Sequence, residues 1–288
     1  MNAQKNRFVD RSDEVIGERY HLLRLIDRGG QGAVYHARDL RAGDEVAVKV
    51  LSAPSIDGAE WRERMFREAH ALTVLSGTAA VRVYHQVWTE DGALCLIMEL
   101  LHGSDFEDYL RAREATGAKQ TVLELAPLME PIVETLEAAH EIGILHRDIK
   151  PGNIYVLDDG SVRLLDFGLA KFMRMRSLTA NGMVAGSPNY IAPEGWKGKT
   201  QLLDQRIDVY SLAAVIFRAL TGSAPFAAED VRDVLLKATR GERPSLHALR
   251  PDLHPNVDEW VKQALAIEPE ERFTGVRAMW RALKSIAS

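Results

Sequence analysis

The chain has one cysteine in 288 residues, no long apolar run and no surplus of positive charge, and each shortage excludes a class of protein. With Cys95 alone, an intramolecular disulfide is impossible, and a reducing compartment is compatible. Cys95 lies in the apolar run 93–100, where a small buried hydrophobe is the expected role. No stretch approaches the length of about eighteen apolar residues that a membrane span needs. Residues 1–13 are polar and charged, without the apolar core of a signal peptide. A net charge of −5 and a pI near 6.0 offer no global basic field for nucleic acid or an anionic membrane. The nine histidines show no metal-ligand spacing. These absences lead us to expect a soluble, cytoplasmic chain with no nucleic-acid or membrane partner.

What is present is enough apolar material, 46%, with 27% charged residues, to bury a large core in one domain or two lobes. The most informative stretch is His146-Arg147-Asp148-Ile149-Lys150-Pro151-Gly152-Asn153, followed by Asp166-Phe167-Gly168. Between them, apolar runs 154–157 and 162–165 flank the turn signal Asp158-Asp159-Gly160-Ser161, which predicts a β-hairpin. Phosphoryl transfer from a nucleotide needs an aligned acceptor hydroxyl and divalent ions to neutralise the phosphate oxygens. Asp148 suits the first task, Lys150 can steady the γ-phosphate, and Asn153 with Asp166 offers the oxygen ligands that Mg²⁺ prefers.

Upstream, Gly29, Gly30 and Gly32 interrupt a strand pair, a pattern that lets backbone N–H groups approach phosphates. Lys49 sits inside the apolar strand 44–51, where a lysine is costly to bury without an anion. Residues 61–76 have helical apolar spacing, with Glu68 beside the stripe as a partner for Lys49. Two more strands, 81–89 and 93–100, follow. Beyond residue 103 the periodicity is helical, with a capping box at Thr121-Val122-Leu123-Glu124 and a kink or delayed start expected from Pro127 and Pro131. The helix 204–220 is apolar on all sides, and Asp208 at its start would be expensive there unless it accepts backbone donors.

In this order the motifs resemble the eukaryotic-like serine/threonine protein kinases, of the type also found in bacteria. The likeness runs from about residue 18 to 286 and includes Gly186 to Glu194, similar to the family's docking element and APE motif. It implies an α+β, bilobal fold: an N-lobe over 18–101 with a five-stranded antiparallel sheet and one helix, and a mainly helical C-lobe over 102–288, after a polar extension 1–17. It implies an ATP- and Mg²⁺-dependent enzyme, Mn²⁺ being an acceptable substitute, acting on Ser/Thr hydroxyls of protein substrates, with a homodimer as one route to autophosphorylation. Asp148, Lys150, Lys49 and Glu68 become the catalytic set, and Asn153 and Asp166 the metal ligands. Ile26, Asp27, Gly29, Gly30, Gly32, Val34, Ala47, Lys49, Met98, Glu99, Leu101 and Tyr155 become the nucleotide site.

Two positions depart from the family. Asp27 stands for the first glycine of the loop, and Tyr155 for a smaller aliphatic residue under adenine. Arg147 is a ready phosphate ligand, which makes Thr179, then Ser177, the expected regulatory phosphorylation sites. Glu194 is expected to pair with Arg272, and Asp208 to anchor the catalytic-loop backbone. The competing readings are a pseudokinase-like nucleotide-binding scaffold, suggested by Asp27 and Tyr155, and a small-molecule phosphotransferase, a class that generally lacks the APE segment.

Overall fold

The computed structural model describes residues 9–29, 32–51, 74–167, 188–196 and 203–287. These form two compact units. The described residues up to Leu51 join Arg82–Leu101 in the first; Val74–Val81 and the described residues from His102 onward make the second.

The first unit is an antiparallel sheet in the order β1-β2-β3-β4-β6-β5: β1 Val15–Ile16, β2 Tyr20–Gly29, β3 Gly32–Asp39, β4 Glu45–Leu51, β5 Val83–Trp88 and β6 Leu94–Glu99. Five of these strands match expectation. The sixth, β1, is only two residues long, too short for any periodic signal in sequence. Directly opposed residues share a face, so the register sorts the side chains. Val46, Val48 and Val50 of β4 join Ala33, Tyr35 and Ala37 of β3 and Cys95 and Ile97 of β6 in one closed apolar cluster. The segment before β1 ties down this unit: the Arg11 N–H donates to the Tyr35 hydroxyl, and the Arg11 guanidinium bridges Glu14 and Asp91.

In the second unit, β7 Gly103–Asp105, β8 Ile154–Leu157 and β9 Val162–Leu164 form a small antiparallel sheet. The helices are α1 Phe106–Ala115, α2 Val122–Glu141, α3 Pro193–Trp196, α4 Arg206–Thr221, α5 Val231–Arg240, α6 Leu246–Leu249, α7 Val257–Ala264 and α8 Val276–Ala287. The predicted capping box opens α2: the Glu124 N–H donates to Thr121 Oγ1, and the Thr121 N–H to Glu124. The delayed start expected from the prolines does not occur, because α2 runs from Val122 with Pro127 and Pro131 inside it. Burial of Leu125, Met129, Ile132, Val133 and Leu136 outweighs the roughly 3 kcal/mol cost of an interior proline, each such side chain contributing about 1.5–3 kcal/mol. Helix α4 is buried from Ile207 to Leu220, as its unbroken apolar run predicts, and ends at Gly222 in the left-handed conformation that glycine adopts without strain.

Candidate active site

The expected hairpin is present, with Ile154 opposite Leu164 and Val156 opposite Val162, and Asp158–Ser161 as the turn. Ahead of it, residues 146–153 form a loop fastened from below by α4. Asp208, wholly buried, accepts the His146 N–H on Oδ2 and the Arg147 N–H on Oδ1, each at 2.8 Å, and Oδ2 also takes His140 Nε2 at 2.8 Å. Burial alone would raise the Asp208 pKa, but the hydrogen bond from His140 and the surrounding donors outweigh it and hold the group below its ordinary value. The carboxylate therefore stays ionised, with a donor on each oxygen.

The same loop fixes the His146 tautomer. The ring's Nδ1 accepts the Asp148 N–H at 3.2 Å, so Nε2 carries the proton and donates it to the Leu165 carbonyl at 2.8 Å. Complete burial lowers the His146 pKa despite the pull of Asp208 and Asp148, and the ring packs against Phe167 at 4.7 Å. His146 is thus a neutral strut between loop and hairpin. Arg147 and Asp166 adopt the left-handed conformation, φ 62° and 56°, a strain of about 1–3 kcal/mol that persists only where the surroundings enforce it.

Asp148 is buried, and two groups converge on its Oδ2: Lys150 Nζ at 3.4 Å and Asn153 Nδ2 at 3.1 Å. Asn153 Nδ2 also donates to the Asp148 carbonyl at 2.7 Å. The amide nitrogen is thereby committed to Asp148, which turns the amide oxygen, the atom a hard cation takes, the other way. One such oxygen with the Asp166 carboxylate fits Mg²⁺, which keeps most of its waters and needs few protein ligands. Among the described residues there is no cluster of three His, Cys, Asp or Glu side chains that could hold a metal ion.

In the first unit, register brings several expected nucleotide residues to one face. Val34 lies opposite Lys49 and Ala47 opposite Met98, on the side of the sheet away from the closed apolar cluster. Lys49 is buried there, as its strand position requires. Asp27 pairs with Val34 and, though standing for a glycine, continues β2; its carboxylate accepts the Arg28 N–H at 2.7 Å. Ile26 falls in a register shift of the β2–β3 ladder and is exposed. Gly29 pairs with Gly32, where φ is +143° and a Cβ would stand 2.1 Å from the Val50 carbonyl oxygen, so only glycine fits. Glu99 is engaged twice by Arg82: its N–H donates to the Arg82 carbonyl and its carboxylate accepts the Arg82 N–H. Leu101 ends this unit, half-buried. Tyr155, in the second unit, donates its hydroxyl to the Gly103 carbonyl. Glu68, Gly30, Ser177 and Thr179 lie outside the described residues.

The predicted Glu194–Arg272 pair is bidentate, with two 2.7 Å bonds; Arg272 also donates to the carbonyls of Ala266, Ile267 and Arg206. The sequence reading gives His140 no role, and the structure sets it against Asp208. Its contact with Asp208 spans 68 residues, and its place on the last turn of α2 is the only local hint.

The model of the protein kinase domain matches residues 20–284. The chain belongs to the protein kinase family. The kinase domain is 37% identical over 262 residues to serine/threonine-protein kinase PknA of Mycobacterium tuberculosis, covering 90% of this chain and 59% of PknA. It is 32% identical over 270 residues to serine/threonine-protein kinase PrkC of Bacillus subtilis, covering 94% of this chain and 41% of PrkC. The chain thus spans only part of the length of these relatives. Among solved structures, the PknI kinase domain of Mycobacterium tuberculosis superposes with a TM-score of 0.74 at 26% identity, over 97% of this chain and all of that one. The resemblance read from the motifs is borne out, as is the α+β class: this is a eukaryotic-like serine/threonine protein kinase domain, of a family that implies use of ATP and a divalent metal. No helix among the described residues is long and apolar enough to cross a membrane.

Proposed function

We propose that this kinase domain transfers the γ-phosphoryl group of ATP to Ser/Thr hydroxyls of protein substrates, using the residues its motifs single out. The observation that carries the reading is the convergence of Lys150 and Asn153 on one oxygen of Asp148, in a loop whose backbone Asp208 holds. Asp148 orients the acceptor hydroxyl and takes its proton; Lys150 steadies the γ-phosphate. Lys49 binds the α- and β-phosphates and pairs with Glu68. Asn153 and Asp166 hold Mg²⁺, or Mn²⁺ in its place, and what the cation supplies is neutralisation of charge on the phosphate oxygens. The nucleotide contacts are Ile26, Asp27, the loop glycines, Val34, Ala47, Met98, Glu99, Leu101 and Tyr155. Phosphorylation of Thr179 or Ser177, carried out by a second copy of the chain and read by Arg147, controls the activity.

The test is autophosphorylation and transfer to a generic protein substrate with Mg²⁺-ATP, comparing wild type with Asp148→Asn. The variant should bind ATP normally and lose about 10²–10⁴-fold in rate. Undiminished transfer by the variant would remove Asp148 as the base. ATP binding without transfer in either protein would favour a scaffold, and transfer only to a sugar or antibiotic a small-molecule phosphotransferase. Full activity in a Ser177→Ala/Thr179→Ala double variant would remove the proposed control.

A further inference from the structure

Pro127 and Pro131 stand one turn apart on the solvent side of α2, in line with Leu123, which is 84% exposed. A proline has no N–H to give, so the carbonyls of Leu123 and Pro127, one turn before each, lack their helical donor, and such stretches are where helices kink. At the next turn Thr135 Oγ1 donates to the Pro131 carbonyl at 2.7 Å, a back-bond that itself favours bending. Burial of the opposite side keeps α2 helical, but it does not fix the angle at which the helix leaves the proline turns. Helix α8 grips that stretch directly. The Glu130 carboxylate, between the two prolines, takes three donors from one face of α8: Arg277 Nη1 at 3.2 Å, Trp280 Nε1 at 2.7 Å and Lys284 Nζ at 2.7 Å. Arg277 Nε also donates to Glu137 at 2.6 Å, so one guanidinium spans Pro131. Burial alone would raise the Glu130 pKa, but the bonds from Lys284 and Trp280 outweigh it, and the carboxylate stays ionised. The last turn of the unbroken α2 carries His140, whose Nε2 meets Asp208 at 2.8 Å beneath the catalytic loop.

We propose that α8 is a splint across the proline turns of α2, and that Glu130, where its donors meet, is a positioning residue for Asp148. This role rests on Asp148 being the base, as proposed above, and adds a group that acts on it from a distance. His140 lies nine residues beyond Pro131. That is about 14 Å along the helix, so a pivot of about 5° at the prolines carries His140 about 1 Å. Such a shift strains its bond to Asp208, whose other donors are the loop N–H groups of His146 and Arg147. Asp148 follows the loop, and a misplaced base costs rate steeply. The ATP contacts proposed above include no residue of α2 or α8, so the loss falls on kcat and leaves KM in place. A splint differs from an ordinary ion-pair cluster in one respect: it is needed only because of the prolines. With two N–H groups restored, α2 supports itself and the grip of α8 becomes dispensable for catalysis.

The experiment measures kcat, with KM for ATP and for a generic protein substrate, in wild type, Glu130→Gln, Pro127→Ala/Pro131→Ala and the variant combining all three changes, each checked by thermal melting. Glu130→Gln keeps the shape, removes the charge and turns an amide N–H₂ toward the α8 donors; kcat should fall about tenfold, with both KM values within about twofold of wild type. Pro127→Ala/Pro131→Ala alone should keep kcat within about twofold, and in that background Glu130→Gln should stay within about threefold of wild type. A kcat within about twofold in Glu130→Gln alone, a loss of about tenfold that persists without the prolines, or a loss carried by KM overturns the splint. If Glu130→Gln does not fold, Lys284→Met, which removes one of the three donors, is measured with and without the proline changes and decides by the same comparison. A wild type that transfers no phosphoryl group, or an Asp148→Asn variant as active as wild type, defeats the reading of Asp148 instead, so the two failures are distinguishable.

Discussion

Asp208→Asn is the substitution that separates the loop's anchor from its chemistry. The native carboxylate accepts two backbone N–H groups, one on each oxygen, and a third bond from His140, all at 2.8 Å and without contact with solvent. An asparagine keeps one acceptor oxygen and points an amide N–H₂ at whichever donor remains. One buried N–H is left unsatisfied and the charge-assisted component of the other bonds is lost. Breaking such a buried set costs about 3–5 kcal/mol. A chain of this size loses about 2–4 °C of melting temperature per kcal/mol, so the drop should be about 6–20 °C by circular dichroism. Activity should suffer further. Asp208 holds the N–H of Arg147, whose backbone is left-handed, and losing that bond should let the adjacent Asp148 drift. A displacement of about 1 Å costs on the order of 10²-fold in rate, so kcat should fall by that factor with a smaller change in KM for ATP. A variant melting within about 2 °C of wild type with kcat within twofold would refute the anchoring role.

Two other expectations concern single ionisable groups. Burial pushes the Cys95 thiol up to about 12, so at pH 8 it is almost wholly protonated; Ellman's reagent should label it only after unfolding in guanidinium, and prompt labelling of native protein contradicts the burial. Asp252 is paired with the buried Arg250 guanidinium, which holds its pKa down to about 2. A carboxyl depressed in the folded state adds stability above its unfolded value, near 3.8, and loses that contribution as pH falls toward 2. Asp252→Asn should therefore have a lower urea midpoint than wild type at pH 7, and the gap should narrow as pH falls below 3.8 and close only below about pH 2; a constant gap counts against the pairing.

Local chemistry made much of this kinase domain readable in advance. The capping box of α2, the hairpin between Asp148 and Asp166, the all-apolar α4 and the buried strand position of Lys49 each depend on residues within one turn or one strand, where periodicity and turn propensity are strong. Strand β1 was invisible because two residues carry no period. The delayed start expected from the prolines of α2 does not occur, because their cost is local while the burial that offsets it comes from other elements.

The sequence by itself determined the family, the motif order and the class of each reactive group, since these are matters of residue type and short spacing. Only the tertiary structure decided which atoms meet. The bond of His140 to Asp208 spans 68 residues, the tautomer of His146 depends on two backbone groups from different segments, and the pinning of Tyr155 depends on a glycine 52 positions earlier. A spacing rule cannot express such contacts, because chain folding and not chain distance sets a hydrogen bond of 2.8 Å.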